Sequence, residues 1–260
     1  MRSDATVYLM YHELEVEGRP LCQGEQGYVR YVVREPHFRE QMNWLQSAGI
    51  RGISVSQALD GKAERGVAIT FDDGCETDLS VAAPVFRSMN FGGTFYITVG
   101  FLGRRGYMIP SQVRELSELG FDIGCHSMTH PYLSDLEEAA LHREIAESKA
   151  RLEEMTGRPV LHFSCPGGRW SPKVADVARA AGYRSVATSR IVANDTRGDP
   201  FRLGRIAIMR NTSFATFQDT CQGHGLWQRR LRSVLQQTSH QLLGNTLYDR
   251  LRSVLLERGD

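Results

Sequence analysis

Thr70-Phe71-Asp72-Asp73-Gly74 and His126-Ser127-Met128-Thr129-His130 hold the residue types that hydrolytic chemistry needs. Two adjacent carboxylates close the apolar run that starts at Val67, and the glycine after them lets the backbone turn sharply. Acidic oxygens are thereby set at the mouth of a sheet, where α/β enzymes keep their reactive groups. The two histidines stand four positions apart, so both rings can converge on one ion from the same side of a local turn. One carboxylate and two imidazoles leave a coordination position open for water, as in a catalytic metal site rather than a structural one. A bare Asp-Asp-Gly can instead be a turn whose oxygens cap a helix, and an isolated histidine is more often a core or surface residue. The two segments together outweigh those readings.

The surrounding chain must deliver both segments to one place. Thr6 to Tyr11 reads as a buried strand ending at His12, and Glu13 to Arg34 as a long loop. Phe38, Met42 and Leu45 recur at helical spacing, which predicts a helix over 36–48 before a short strand at 50–55. The motif strand 67–71 is followed by a helix over 78–89 that Pro84 kinks or delays, and by a core strand at 93–99. Ser111 is placed to cap a helix that stops at Gly120, and Phe121 to Cys125 is the strand that presents His126. Ser134-Asp135-Leu136-Glu137 reads as a capping box for a long helix ending at Gly157. Val160 to Phe163 is a strand, Ser171-Pro172 opens another helix, and strands follow at 185–188 and 201–209. Such alternation predicts a parallel sheet flanked by helices, without separating a barrel from an open sheet.

Composition is that of an ordinary globular chain: 260 residues, 41% hydrophobic, 23% charged and a formal net charge of +1. That balance gives no electrostatic ground for a nucleic-acid partner. The five cysteines, Cys22, Cys75, Cys125, Cys165 and Cys221, show no CxxC spacing, so neither a disulfide framework nor a zinc ribbon is indicated. With no secretory leader visible before Val7 and no apolar run long enough to span a bilayer, the expected location is cytoplasmic.

Taken in order, the Thr-Phe-Asp-Asp-Gly and His-Ser-x-x-His segments resemble the first two motifs of the polysaccharide deacetylase family (NodB homology, carbohydrate esterase 4). The likeness extends over roughly the first four-fifths of the chain. It implies an irregular, incomplete (β/α) barrel over residues 1–210; residues 211–260 lie outside the likeness and read from their own sequence as a helical C-terminal extension. It also implies that Asp72 is the catalytic base and that Asp73, His126 and His130 hold one divalent metal. Zinc is the first choice, and iron, cobalt and nickel suit the same donors. Such a metal lowers the pKa of water and polarises an acetyl carbonyl. The implied substrate is an N-acetylated saccharide or glycoconjugate. A hydrolase of a non-sugar amide, or a non-catalytic carbohydrate-binding or scaffold relative, are the alternatives.

Two departures from the family pattern bear on that reading. Its third motif is usually Arg-x-Pro-x-Gly, whereas this chain has Ser164-Cys165-Pro166-Gly167-Gly168, which puts the tuning of Asp72 in question and makes Arg169 and Arg205 the candidates to supply the missing charge. Gly167 is the candidate oxyanion donor, with Pro166, Arg169 and Trp170 on the substrate side and Trp170, Tyr132 and Tyr11 as rings on which a sugar could stack. The family's late Leu-x-His is absent after Met209. His12 takes the role of general acid, with His162 and His224 as fallbacks.

From Thr212 onward the chain changes character, and Leu231-Arg232-Ser233-Val234-Leu235 recurs as Leu251-Arg252-Ser253-Val254-Leu255. These are two basic amphipathic segments, with Trp227 ahead of the first. They are expected to pack on the barrel or on a second copy in a homo-oligomer. Peripheral contact with the inner membrane surface is the sharper alternative.

Overall fold

Val67, Ala68, Ile69 and Phe71 are each at most 1% exposed, because their strand lies between neighbours on both edges and is covered on both faces. The computed structural model describes residues 5–61, 66–228 and 230. Along the chain the strands are β1 (Ala5–Tyr11), β2 (Leu14–Glu15), β3 (Val33–Arg34), β4 (Arg51–Ile53), β5 (Gly66–Phe71) and β6 (Thr94–Ile97). They continue as β7 (Asp122–Cys125), β8 (His162–Ser164), β9 (Ser185–Ala187), β10 (Asn194–Asp195) and β11 (Ile206–Ala207). The main sheet runs β1-β5-β6-β7-β8-β9 with parallel pairing. It curls round until β11 pairs with β1 and Leu203, just before β11, bridges to Ala187 of β9. That single bridge leaves the ladder thin on the β9 side, giving the irregular, incomplete barrel that the motifs imply.

Parallel strands put all their C-terminal ends at one rim, so Asp72, Cys125-His126 and Ser164 come to the same end of the barrel. Between sheet and helices lies an aromatic core in which Phe71 stacks on Tyr11 at 5.2 Å and on Phe95 at 5.4 Å. Phe38 and Phe86 meet it edge-on. Tyr11 is wholly buried there, its hydroxyl donating to Gln41, and so is unavailable to a sugar.

Several elements differ from the sequence expectation. The helix ahead of β4 is Glu35–Ser47, and the segment between β1 and it contains β2, a short helix Gln26–Val29 and β3. Ser111 is not a cap: Pro110 opens that helix and Ile109 precedes it, because proline suits a first position whose N–H has no helical partner. Ser134 to Glu137 forms no capping box; Leu133–Asp135 is a 3₁₀ turn, and the helix begins at Glu138. Pro84 does delay its helix, which follows a π turn Asp78–Ala82. Of the strand expected over 201–209, Pro200–Arg202 is 3₁₀ and only Ile206–Ala207 is regular. Helix Phe214–Cys221 buries Phe217 against Trp44, so the start of the C-terminal extension packs on the barrel. The recurring Leu-Arg-Ser-Val-Leu segments lie outside the described residues. No helix among those described is long and apolar enough to cross a membrane.

Gly124, two residues before His126, sits where a Cβ would lie 2.3 Å from the buried Tyr96 ring. Gly124→Ala is therefore expected to lower stability by about 1–3 kcal/mol through overpacking, read as a drop in denaturant midpoint with an unchanged slope.

Candidate metal and catalytic centre

Asp73 leaves β5 in a left-handed conformation (φ 80°), and Gly74 continues it (φ 83°). Aspartate tolerates that region better than most residues. Gly74 must be small as well, since a Cβ would meet Ile97 at 3.2 Å. The turn is pinned by Met108 N–H donating to Gly74 O and by Glu76 N–H donating to Gly106 O. Opposite it, His126 ends β7 and the chain passes through Ser127 (φ 69°) to His130 (φ 66°). The two imidazoles thus converge across a loop with two left-handed residues, and no helix is involved.

Glu144 holds that loop. Its carboxylate accepts from the Met128 and Thr129 N–H groups at 2.9 and 2.8 Å and from the Thr129 hydroxyl at 2.7 Å. Ser127 Oγ accepts from His130 N–H at 2.9 Å.

One ligand atom from each of Asp73, His126 and His130 lies within 4.8 Å of the others. His130 Nε2 and His126 Nε2 stand 3.5 and 3.7 Å from Asp73 Oδ1. His126 Nδ1 is 2.9 Å from Ser164 O, an acceptor only, so Nδ1 carries the proton and the Nε2 lone pair faces Asp73. Burial lowers the pKa of His126 to about 3 and that of His130 as well, so both rings are neutral at neutral pH. Asp73 Oδ1 is buried without a hydrogen-bond partner. A buried carboxylate oxygen left bare against two neutral imidazole nitrogens is what a divalent cation would satisfy, so these residues fit one.

Asp72 has the opposite surroundings. Arg205, 1% exposed, donates from Nη1 to Asp72 Oδ1 at 2.7 Å and from Nη2 to Oδ2 at 2.8 Å. The rest of its N–H groups reach Thr70 Oγ1, Ser164 Oγ and Thr188 O, so the guanidinium is fully satisfied within the barrel. Burial works against the Asp72 charge, but the Arg205 cation beside it prevails and holds the carboxyl well below the usual carboxylate range. Asp73, with burial dominating, is pushed up to about 6.

The charge missing from the third motif therefore comes from Arg205. Ser164, at the motif arginine's position in the sequence, accepts one of the Arg205 donors. Arg169 instead lies over the Tyr132 ring at 5.1 Å. Pro166–Gly168 forms a 3₁₀ turn in which Gly167 is left-handed (φ 60°), with Tyr132 so close that a Cβ would lie 2.7 Å from it. Trp170 donates to Phe201 O at 2.7 Å, fixing it to the barrel wall.

His12, just past β1, packs on Tyr31 at 4.8 Å and has a buried Nδ1 with no partner. Burial lowers its pKa while the Asp73 and Asp72 charges pull it up, so it shares the field of the site. The fallbacks are elsewhere. His162 bonds Ser56 and Ser185 hydroxyls one layer down the barrel, and His224 is exposed beside Asp219.

Residues 60–186 match the family model described as polysaccharide deacetylase. This segment belongs to the polysaccharide deacetylase family. Similar proteins include a peptidoglycan-N-acetylglucosamine deacetylase of Bacillus cereus, 33% identical over 48% of this chain and 57% of that protein. A chitooligosaccharide deacetylase of Azorhizobium caulinodans is 32% identical over 47% of this chain and 58% of that one. Among solved structures, the Streptococcus pyogenes deacetylase PplD in complex with acetate superposes with a TM-score of 0.74 at 20% identity, covering 84% of this chain and 98% of that one. That likeness is one of fold.

The family match begins after His12 and ends before Arg205, so both are supplied from outside it. Sequence reasoning missed Glu144, although an acidic residue beside the core positions Leu141 and Ile145 was a visible signal. Tyr31 and Phe101, which flank His12 and His130, carried none.

Arg205→Met would leave Asp72 a lone buried anion, and is expected to cost about 3–5 kcal/mol at pH 7. The deficit in denaturant melts should shrink as the pH falls, because the unpaired carboxyl then takes up a proton. Metal and proton compete for Asp73, whose pKa is raised to about 6. Zinc affinity, measured by titration calorimetry, is expected to fall as the pH drops through that value; a flat response from pH 8 to 5 would contradict the ligand assignment.

Proposed function

We propose that the chain is a metal-dependent hydrolase that removes the acetyl group from an N-acetylated amino sugar in a saccharide or glycoconjugate. One observation carries this reading: two adjacent carboxylates with opposite surroundings, Asp72 locked to Arg205 and Asp73 bare before His126 and His130. A divalent metal held by Asp73, His126 and His130, with zinc the first candidate, supplies an acidified water and a polarised acetyl carbonyl when bound.

The chain's own residues do the rest. Asp72 stays ionised and fixed in direction, so it can orient the attacking water and accept its proton. A carboxylate held so acidic returns that proton readily. His12 is the group to protonate the departing amine: it lies in the field of Asp73 and Asp72, whose charges offset part of the burial that lowers its pKa. The left-handed turn at Gly167 opens the third-motif loop, where the Gly167 N–H can meet the developing oxyanion.

An acetylated sugar is favoured over another amide by the relatives, a peptidoglycan-N-acetylglucosamine deacetylase and a chitooligosaccharide deacetylase. Of the two departures that favour a non-catalytic relative, the Ser164 replacement is offset by Arg205, which leaves the missing late Leu-x-His as its remaining ground.

Acetate release from acetylated glucosamine oligomers is expected from the zinc-loaded protein. Asp72→Asn should lower it by about 100-fold or more while zinc content stays the same. Asp73→Ala should lose the zinc itself. Full activity in Asp72→Asn would remove that residue from the mechanism.

A further inference from the structure

Three rings at the site each carry a guanidinium. Tyr31, which packs on His12, lies under Arg30 at 5.4 Å. Phe101, 5.7 Å from His130, lies under Arg104 at 5.0 Å. Tyr132, against Gly167, lies under Arg169 at 5.1 Å. The three rings thus touch three different parts of one centre, and the three cations surround it from separate loops. Arg202, over Trp170 at 4.5 Å, extends the same pattern outward from Arg169.

None of Arg30, Arg104 and Arg169 has a carboxylate partner among the described residues. Arg19, whose Nη2 reaches Gly106 O, pairs with Glu13 and Glu76, and Arg210, whose N–H donates to Arg30 O, pairs with Glu15, while Arg105 and Arg202 have no carboxylate partner among the described residues. Nor are the three needed to balance the buried anion Asp72, which Arg205 already matches. The arrangement also speaks against a neutral glycan as the sole ligand. Neutral sugars stack on bare aromatic faces, and here Tyr31, Phe101, Tyr132 and Trp170 each have one face taken by a cation.

We propose that Arg30, Arg104 and Arg169 form a cationic rim that binds oxyanions on the sugar residues flanking the acetamido group, so that the substrate is an anionic saccharide. A guanidinium resting on a ring holds its edge N–H groups in a fixed plane, which suits bidentate contact with a carboxylate or a phosphate, and Arg30 Nη2 also lies 3.8 Å from Met209 Sδ. The inference rests on the deacetylase reading for the position of the acetamido sugar, but the rim can be tested by binding alone.

The test uses the zinc-loaded full chain carrying Asp72→Asn, so that ligands are not consumed. Calorimetry compares neutral N-acetylglucosamine oligomers with oligomers of the same length bearing carboxylates, and with others bearing phosphate monoesters. At low salt, one or both anionic sets should bind about tenfold or more tighter than the neutral set, and the advantage should shrink as salt rises. The better of the two names the oxyanion. Arg30→Gln with Arg104→Gln should narrow the anionic-to-neutral ratio several-fold, and Lys at both positions should restore part of it. Equal affinity for all three sets, binding of none, or a ratio unmoved by the Gln substitutions overturns the rim. Acetate release by the wild-type protein separates the two readings. Neutral and anionic oligomers hydrolysed and bound alike sink the rim and keep the deacetylase. Anionic oligomers bound tightly but never hydrolysed do the reverse.

Discussion

The buried pair of Asp72 and Arg205 is the interaction on which the site depends. A carboxylate at the C-terminal end of a parallel strand, 2% exposed, would ordinarily take up a proton or unfold its surroundings. Arg205 prevents both, and it does so by reaching across the barrel from the segment that joins β9 to β1. Its hydrogen bonds bring residues of β5 and β8 and the turn after β9 to one guanidinium. Ser164 then links that network to the candidate metal donors, its carbonyl fixing the His126 ring and its hydroxyl lying 3.4 Å from Asp72. Base, prospective ligand and barrel closure are in this way one connected structure.

The contrast between the neighbouring aspartates follows from backbone geometry as much as from charge. Asp72 is still in extended register, its N–H donating to Tyr11 O, so its side chain points among the strand ends toward Arg205. Asp73 is one residue further and left-handed, which turns its carboxylate away from that cation and toward the histidines. A single residue's change of φ therefore separates an anion held by an organic cation from one left free for an inorganic one. Strain of this kind is tolerated where the surroundings over-determine it, and here the hydrogen bonds from Met108 N–H to Gly74 O and from Glu76 N–H to Gly106 O do so.

Much of this was legible in the sequence because it is local. Asp-Asp-Gly after an apolar run, and two histidines four apart after Phe121 to Cys125, announce strand ends and their contents without reference to the rest of the chain. The replacement of the motif arginine by Ser164 was equally visible. Its compensation was visible only as a choice between Arg169 and Arg205, because nothing in local periodicity says which of two arginines faces inward. Arg205 follows a 3₁₀ turn and precedes a two-residue strand, too short a stretch for an alternating pattern to reveal its inner face. Glu144 was passed over for another reason: its place beside two core positions was visible, but a helix pattern does not say which side chain answers the backbone of another loop. The capping assignments at Ser111 and Ser134 failed where proline geometry and a 3₁₀ turn moved the helix start by a residue or more.

The route taken by Arg205 has a consequence for anyone who wishes to move this chemistry into another protein. The stretch that matches the family model, 60–186, holds both aspartates and both histidines, and would look like a portable cassette. Cut out on those borders it would lack the first strand and the closing one, and with them the only countercharge that the described residues offer to its reactive carboxylate. A graft must carry the two ends of the chain along with the middle, or the transplanted acid will arrive neutral.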